Sequence, residues 1–201
     1  MSSLYRKYKK DECIVFRSTK GKYGALSNMA PGFPLCVNEK HILTIEAFYQ
    51  ALRYPNHPEL QNEIINIKSP ISAKRFGRRY IDHTRADWDK VRFKIMKFCI
   101  NLKLYQHKER FAQVLLSTNG LPIVEFSHKD KVWGALQQGD YYIGINALGR
   151  LLMELRESVV NGTFQFTVPE LDNLLFLGSK LNLESFKMKP IGYSTVIDDL
   201  L

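Results

Sequence analysis

The sequence has few cysteines, no long apolar run and no recognisable export signal. Among its 201 residues no apolar stretch approaches the ~18 residues of a membrane helix, so we expect no membrane span. The basic start, MSSLYRKYKK, has no apolar stretch behind it and does not look like a secretory signal. Cys13, Cys36 and Cys99 lie far apart without a CxxC pair, which argues against a disulfide framework and a zinc site. We therefore expect a cytoplasmic protein, since a reducing compartment suits this cysteine usage.

Several general catalytic motifs are missing as well. The sequence has no P-loop and no GxGxxG motif for phosphates or dinucleotides, and no GxSxG motif of a serine hydrolase. The five histidines lack the HExxH or HxxxH spacing that places two metal ligands on one helix face: His41, His57, His83, His107 and His128. We therefore expect neither a bound metal nor an organic cofactor.

Positive charge is abundant and unevenly distributed. The formal net charge is +9, and residues 1–157 hold 26 Lys/Arg against 15 Asp/Glu. Ten of these basic residues lie between Lys74 and Lys103, where only three aspartates occur. Such a balance favours a polyanionic partner, either nucleic acid or a ligand that carries phosphates. The alternative, a basic helix face that is simply solvated, stays open at this point.

Length and periodicity predict one domain of the α+β class, mostly helical with a small β-sheet. The domain organisation comprises a flexible basic arm (1–12), a main domain (13–158) and a C-terminal extension packed on the core (159–201). Helices are predicted over 45–54, with Thr44 as the N-cap, and over 58–67, 69–79, 87–107, 108–117 and 146–160, with a further helix near 169–176. Strands are predicted over 13–17 and 121–126, and a hairpin over 35–43 turns near Asn38 and Glu39.

Two charged residues lie in sequence contexts that suit catalysis. Glu46, in TIEAFYQA, falls in the first turn of a predicted helix. A carboxylate there either complements the helix dipole or serves in acid–base work. Lys74 opens the basic part of AKRFGRR. A lysine amine is a nucleophile that can form a Schiff base with an aldehyde carbon, although a solvated lysine is the simpler interpretation.

A second group combines acidic, aromatic and amide side chains. Asp130, Trp133 and Gly134 fall within EFSHKDKVWG, where an acid and a ring suit contacts with a sugar and a base. A turn-forming Asp and a core Trp are the alternative. Trp88 lies on the apolar stripe of the 87–107 helix, so a core position is its default. Asn146, in GINALG at a predicted helix start, is either an anion or amide contact or only an N-cap.

These short motifs occur together in the order expected for one known family. GKYGALSNMAP, TIEAFYQALRYP, SPISAKRFGRR, ADWDKVR, KLYQH, LLSTNGLPIVEFS, DKVWG and GINALGRLLMELRE make the chain similar to the NADAR family, named for NAD and ADP-ribose. The similarity covers roughly residues 13–158. It implies a mostly helical α+β fold and a glycosidase without a metal, which cleaves an N-glycosidic bond between a ribose and a base-like amine.

Two branches of the family imply different substrates. YbiA-like members are associated with N-glycosidase action on early riboflavin-pathway intermediates. Members allied with DarT-type toxins remove ADP-ribose from the exocyclic amine of guanine in DNA and act as antitoxins. The YbiA-like branch often has a small residue where this chain has Lys74, and the basic main domain suits DNA. Both features favour the second branch.

The resemblance also implies roles for individual residues. As catalytic candidates, Lys74 attacks the anomeric carbon of ring-opened ADP-ribose, Glu46 shuttles protons and Asp130 orients the ribose hydroxyls. Ile45 replaces the short residue more usual beside this glutamate. Substrate binding is expected of Arg17, Ser27, Asn28, Tyr49, Trp88, Trp133, Gly134 and Asn146, with Lys20 and Lys22 beside the pyrophosphate and Gly149 completing the NxLG motif.

The favoured function is removal of ADP-ribose from guanine bases of nucleic acid, with a DarT-type ADP-ribosyltransferase as the genetic partner and a monomer as the default state. One rival is an N-glycosidase for a small riboflavin-pathway ribose phosphate, which would act independently of nucleic acid. Another is a non-catalytic ADP-ribose reader, and a third is an antitoxin that blocks its toxin by contact. Glu46 and Lys74 together favour catalysis, because a reader needs neither an acid nor a nucleophile.

Overall fold

The longest element of the protein is helix α4 (Trp88–Gln106), and most of its length is buried. A computed structural model describes residues 4–187, and α4 runs through the core of this part. The predicted apolar stripe is confirmed, since it faces the core at Trp88, Val91, Ile95, Phe98, Cys99 and Leu102. Its last member, Tyr105, is instead 44% exposed and stacks on Phe166.

The described residues form five further α-helices: α1 (Ile45–Ala51), α2 (Pro58–Asn66), α3 (Pro70–Arg78), α5 (Lys108–Leu116) and α6 (Ala147–Val160). Helices α1, α5 and α6 pack on α4, and α2 and α3 pack on α1. The side chains of Thr44 and Ser69 cap α1 and α3 by accepting a hydrogen bond from a backbone N–H in the first turn. These helices confirm the predicted ones, with α1 ending earlier than expected. No helix in residues 4–187 has the length and apolar character needed to cross a membrane.

The strands are short and form several small sheets: β1 (Arg6–Lys9), β2 (Ile14–Phe16), β3 (Leu35–Val37), β4 (Lys40–Ile42), β5 (Ile123–Glu125), β6 (Leu136–Gln138), β7 (Tyr141–Gly144), β8 (Leu175–Phe176) and β9 (Ser179–Lys180). Strands β1, β7 and β6 form an antiparallel sheet in that order, and β2 pairs in parallel with β5. The predicted β3–β4 hairpin is confirmed, and both Asn38 and Glu39 have the positive φ that its tight turn requires. The α+β class, mainly helical, is therefore confirmed.

The predicted flexible arm is wrong for residues 6–12. Arg6–Lys9 form strand β1, which pairs with β7 in antiparallel register, and Lys10–Glu12 form a short 3-10 helix. Strand β7 belongs to the β6–β7 hairpin, which the sequence analysis did not predict. An edge of that hairpin offers unpaired backbone groups, and the polar N-terminal segment satisfies them without needing an apolar pattern of its own. The rest of the arm, residues 1–3, lies outside the described residues.

The C-terminal extension contributes side chains to the core, while its last part, residues 188–201, lies outside the described residues. Leu174, Phe176, Leu181 and Phe186 are buried there. The predicted helix near 169–176 is wrong, because β8 and β9 form a small hairpin instead. Positive φ angles at Asn173, Leu177 and Gly178 bend the backbone and are incompatible with a helix.

The buried side chain of Gln61 in α2 joins the extension to the helical core. Its Nε2 donates to Ala51 O at 3.1 Å and to Leu175 O at 3.0 Å. Its Oε1 accepts a hydrogen bond from Leu177 N at 2.6 Å. One amide group thus satisfies three backbone groups from two segments that are distant in sequence.

We expect Gln61→Leu to lower the free energy of unfolding by about 3 kcal/mol, because it leaves three backbone polar groups without their partner. Chemical denaturation monitored by circular dichroism measures this change. The control is Glu63→Leu on the exposed face of the same helix, which we expect to change stability little. Equal stability of the two variants would contradict an anchoring role for Gln61.

Candidate active site

One cavity of about 740 Å³ gathers most of the predicted site residues. We call it the site cavity. Helices α1, α3 and α4, the end of β5 and the loop after β5 all contribute to its wall. Nine of the predicted residues line it: Arg17, Ser27, Asn28, Glu46, Tyr49, Lys74, Trp88, Asp130 and Trp133. Tertiary structure therefore brings together side chains from segments that are widely separated in sequence.

Glu46 and Lys74 face each other inside the site cavity. Glu46 lies in the first turn of α1, only 4% exposed, and its backbone N–H donates to Asn28 O at 3.1 Å. Lys74 projects from α3, and its Nζ lies 3.7 Å from Glu46 Oε1. Gln50, one turn further along α1, donates from Nε2 to the same oxygen at 2.9 Å. A buried carboxylate, an amine and an amide therefore form one connected group.

Aromatic side chains line the neighbouring part of the site cavity. The ring centroid of Tyr49 lies 5.1 Å from that of Trp88 and 5.7 Å from that of Trp133. The guanidinium carbon of Arg53 lies 5.4 Å from the centre of the Trp88 ring. Burial raises the pKa of Tyr49 far above its usual value, so its hydroxyl stays neutral. This wall offers apolar faces of the kind on which a base or a sugar can pack.

Asp130 has a structural task as well as a place on the cavity wall. Its Oδ1 accepts hydrogen bonds from Val132 N at 2.8 Å and Trp133 N at 2.9 Å. The carboxylate therefore shapes the turn that carries Trp133 to the cavity. Asp130 therefore both forms a turn and lies at the site, because Oδ1 holds the turn while the second carboxylate oxygen is available to a ligand.

Gly134 and Asn146 do not line the site cavity, contrary to the expectation that they bind substrate. Asn146 is fully buried, and its side chain donates to Ile123 O at 2.8 Å and accepts from Glu125 N at 3.0 Å. It occupies the N-cap position of α6 with φ 51°, but its side chain makes no capping bond. A Cβ at Gly134 would lie 2.4 Å from Glu125 O. Both residues therefore contact the backbone of strand β5 and support it without lining the cavity.

The remaining expected contacts are also displaced from the cavity. Lys20 and Lys22 are exposed and do not line it, so the structure does not bring them to the other site residues. Gly149 lies in α6, where a Cβ would come within 2.2 Å of Ile123 O. A glycine at this position lets α6 approach β5 closely, which is a packing role.

The sequence analysis missed Glu125, the last residue of β5, which lines the site cavity. Burial raises the pKa of Glu125 to about 7, the charges of Glu46 and Asp130 add to this rise, and Lys74 opposes it. A glutamate inside the apolar strand motif LPIVEF was the available signal. Four cationic residues of the wall were missed as site residues too: Arg53, Arg78, Arg92 and Lys129.

Three buried polar atoms of cavity-lining residues have no hydrogen-bond partner within the described part of the chain. They are Asn28 Oδ1, Gln50 Oε1 and Arg92 Nε. Buried polar atoms in proteins almost always have a partner, so an unpaired group calls for an explanation. A ligand that offers hydrogen-bond donors to the amide oxygens and an acceptor to the guanidinium would supply it.

The fully buried Lys103 of α4 supports the loop that carries Ser27 and Asn28. Its Nζ donates to Ala25 O at 2.5 Å and to Ser27 O at 3.2 Å. Burial lowers the pKa of Lys103 to about 7. This lysine does not line the site cavity, and its hydrogen bonds hold one part of the cavity wall in place.

Comparison with known proteins finds relatives that are named as an N-glycosidase or as a riboflavin biosynthesis protein. The N-glycosidase YbiA of Escherichia coli (strain K12) is 36% identical over 149 residues, which is 74% of this chain and 89% of that protein. The chloroplastic riboflavin biosynthesis protein PYRR of Zea mays is 33% identical over 162 residues, 73% of this chain and 25% of that protein. These names support glycosidase activity in general.

Structure and family comparison agree with this result. An NMR structure of the E. coli protein YbiA matches with a TM-score of 0.65 and 32% identity, covering 82% of this chain and 94% of that one. The NADAR domain model matches residues 15–160, close to the predicted 13–158. The extension after residue 160 lies outside this match. The chain therefore belongs to the NADAR domain family.

Proposed function

We propose that the protein is an N-glycosidase that removes ADP-ribose from guanine bases of nucleic acid, with Lys74 as nucleophile and Glu46 as proton carrier. One observation carries the proposal. The Nζ of Lys74 lies 3.7 Å from a buried carboxylate oxygen in a cavity whose wall includes six Lys and Arg side chains. The lysine and the carboxylate suit covalent catalysis, and the cations suit a pyrophosphate.

The reaction begins from the ring-opened form of the N-glycoside, in which C1 of the ribose is an imine carbon. The neutral amine of Lys74, having given a proton to Glu46, adds to C1, and the π electron pair of the C1=N bond moves to the guanine nitrogen. Glu46 passes its proton to that nitrogen and takes one from the added lysine nitrogen. The C1–N bond to guanine then breaks, its electron pair stays on the guanine nitrogen, and that nitrogen takes up a second proton and leaves as an amine. C1 is left joined to Lys74 as a Schiff base, and water adds to it to release ADP-ribose and the free lysine.

The rim of the site cavity supports a polyanionic substrate. Arg17, Arg78 and Lys129 line the cavity and are exposed, so they can reach phosphates of a nucleic acid strand outside it. Tyr49 and Trp88 present the aromatic wall to a base or to adenine. For this function an ADP-ribosyltransferase of the DarT type is the genetic partner, because such an enzyme makes the modified guanine.

A second candidate function is favoured by the names of the relatives. The E. coli relative is named an N-glycosidase and the maize relative a riboflavin biosynthesis protein. On this alternative the same Lys74–Glu46 pair cleaves a small riboflavin-pathway ribose phosphate, and the cavity cations bind one phosphate. A non-catalytic ADP-ribose reader is less well supported, because binding alone does not require an amine beside a buried carboxylate.

The first test replaces the proposed catalytic pair. We expect Lys74→Ala and Glu46→Gln each to lower the rate of N-glycoside cleavage by about 100-fold or more, because nucleophile or proton carrier is lost. Borohydride reduction followed by mass spectrometry should trap ADP-ribose on wild-type protein and not on Lys74→Ala. Lys68→Ala, at an exposed position close to α3, is the control and should keep full activity. Full turnover by Lys74→Ala would exclude the covalent route.

The second test separates the two substrates. We expect release of ADP-ribose from an oligonucleotide carrying ADP-ribosylated guanine, with an apparent affinity that falls about tenfold between 50 and 200 mM salt. Arg78→Ala should raise the KM for the oligonucleotide several-fold, while Arg150→Ala, an exposed arginine away from the cavity, should not. Cleavage of a riboflavin-pathway ribose phosphate alone would establish the second candidate instead.

A further inference from the structure

The acidic residues of the site cavity differ in whether their carboxyl groups already have a hydrogen bond or an ion pair with the protein. Glu46 holds Lys74 and Gln50, Asp130 holds two backbone N–H groups, and Asp89 lies 3.7 Å from Arg92. No hydrogen bond or ion pair from residues 4–187 reaches the carboxyl group of Glu125. Glu125 is thus the acid in this cavity that is unengaged before a ligand arrives.

The backbone at Glu125 is held rigidly although its carboxyl group is unengaged. Its N–H donates to Asn146 Oδ1 at 3.0 Å, and its carbonyl accepts from Ala135 N at 2.9 Å. Residue 125 also pairs with Phe16 in the register of β2 and β5. A side chain on a rigid strand, aimed into a cavity without a protein partner, is suited to act on a bound molecule.

We propose that Glu125 is the proton donor to the departing amine. This inference deepens the proposed function and rests on it. As the C1–N bond breaks, its electron pair moves to the amine nitrogen, and that nitrogen takes the proton from the carboxyl group of Glu125. The resulting carboxylate later accepts a proton from the water that adds to C1 of the Lys74 Schiff base, which restores the acid for the next turnover.

The protonation state of Glu125 suits this role. A pKa raised to about 7 leaves about half of the molecules with a protonated Glu125 at neutral pH, whereas an ordinary glutamate would be ionised. The groups that act on it are Lys74 from α3, Glu46 from α1 and Asp130 from the loop after β5. Arg17, His128 and Lys129 line the same cavity. The two glutamates of the site thus have different tasks.

The test compares pH–rate profiles of three proteins on the substrate that wild type cleaves. Since the active form of Glu125 is protonated, wild-type kcat should fall as pH rises through about 7. Glu125→Gln should lower kcat by about 100-fold and lose this falling limb, because its amide does not titrate. Glu125→Asp should keep a falling limb, and Glu63→Gln, at an exposed site outside the cavity, should match wild type.

Binding and trapping measurements make the outcome unambiguous. Glu125→Gln should bind the product ADP-ribose or ribose phosphate as wild type does, and borohydride should trap little Lys74 adduct because the amine departs slowly. Wild-type activity with an unchanged profile in Glu125→Gln would overturn the assignment of Glu125 and leave the proposed function in place. If wild type cleaves neither substrate class, both the assignment of Glu125 and the proposed function are overturned.

Discussion

One wall of the site cavity depends on the hydrogen bonds between the Asn146 side chain and strand β5. The single amide satisfies Ile123 O and Glu125 N, which face it from the same strand. Asparagine tolerates the left-handed backbone conformation found there, and Gly149 allows helix α6 to lie directly against the strand. The position of Glu125, and of the loop that follows it, is set by this contact.

The opposite wall depends on a second contact, between helix α3 and Tyr54 in the segment that follows α1. Tyr54 OH donates to Gly77 O at 2.6 Å, and a Cβ at Gly77 would lie 3.4 Å from that hydroxyl oxygen. That separation is an ordinary van der Waals contact, so the hydrogen bond and the packing of α1 on α3, rather than the lack of a side chain at Gly77, hold Lys74 near Glu46. Lys103 fixes the loop before Asn28 in a similar way. Buried polar contacts, added to apolar packing, define the site.

The extension beyond the family match takes part in the same arrangement from the far side of α1. Phe176 contacts Phe48 edge-on with ring centroids 5.4 Å apart, and Gln61 ties residues 175 and 177 to the end of α1. The helix that carries Glu46 is thus packed between the site cavity and the extension. A segment outside the shared family domain thus completes the burial of the helix that carries Glu46.

The sequence by itself determined the helices, the β3–β4 hairpin, the α+β class and the family, because caps, turn residues and apolar periodicity are local signals. It also pointed to Glu46, Lys74 and the aromatic residues through short motifs. Only the tertiary structure showed that Asn146 and Gly134 support β5, that Glu125 enters the cavity, and that β1 pairs with β7. Those facts depend on contacts between segments distant along the chain, and neither residue type nor local spacing specifies which distant backbone a side chain will meet.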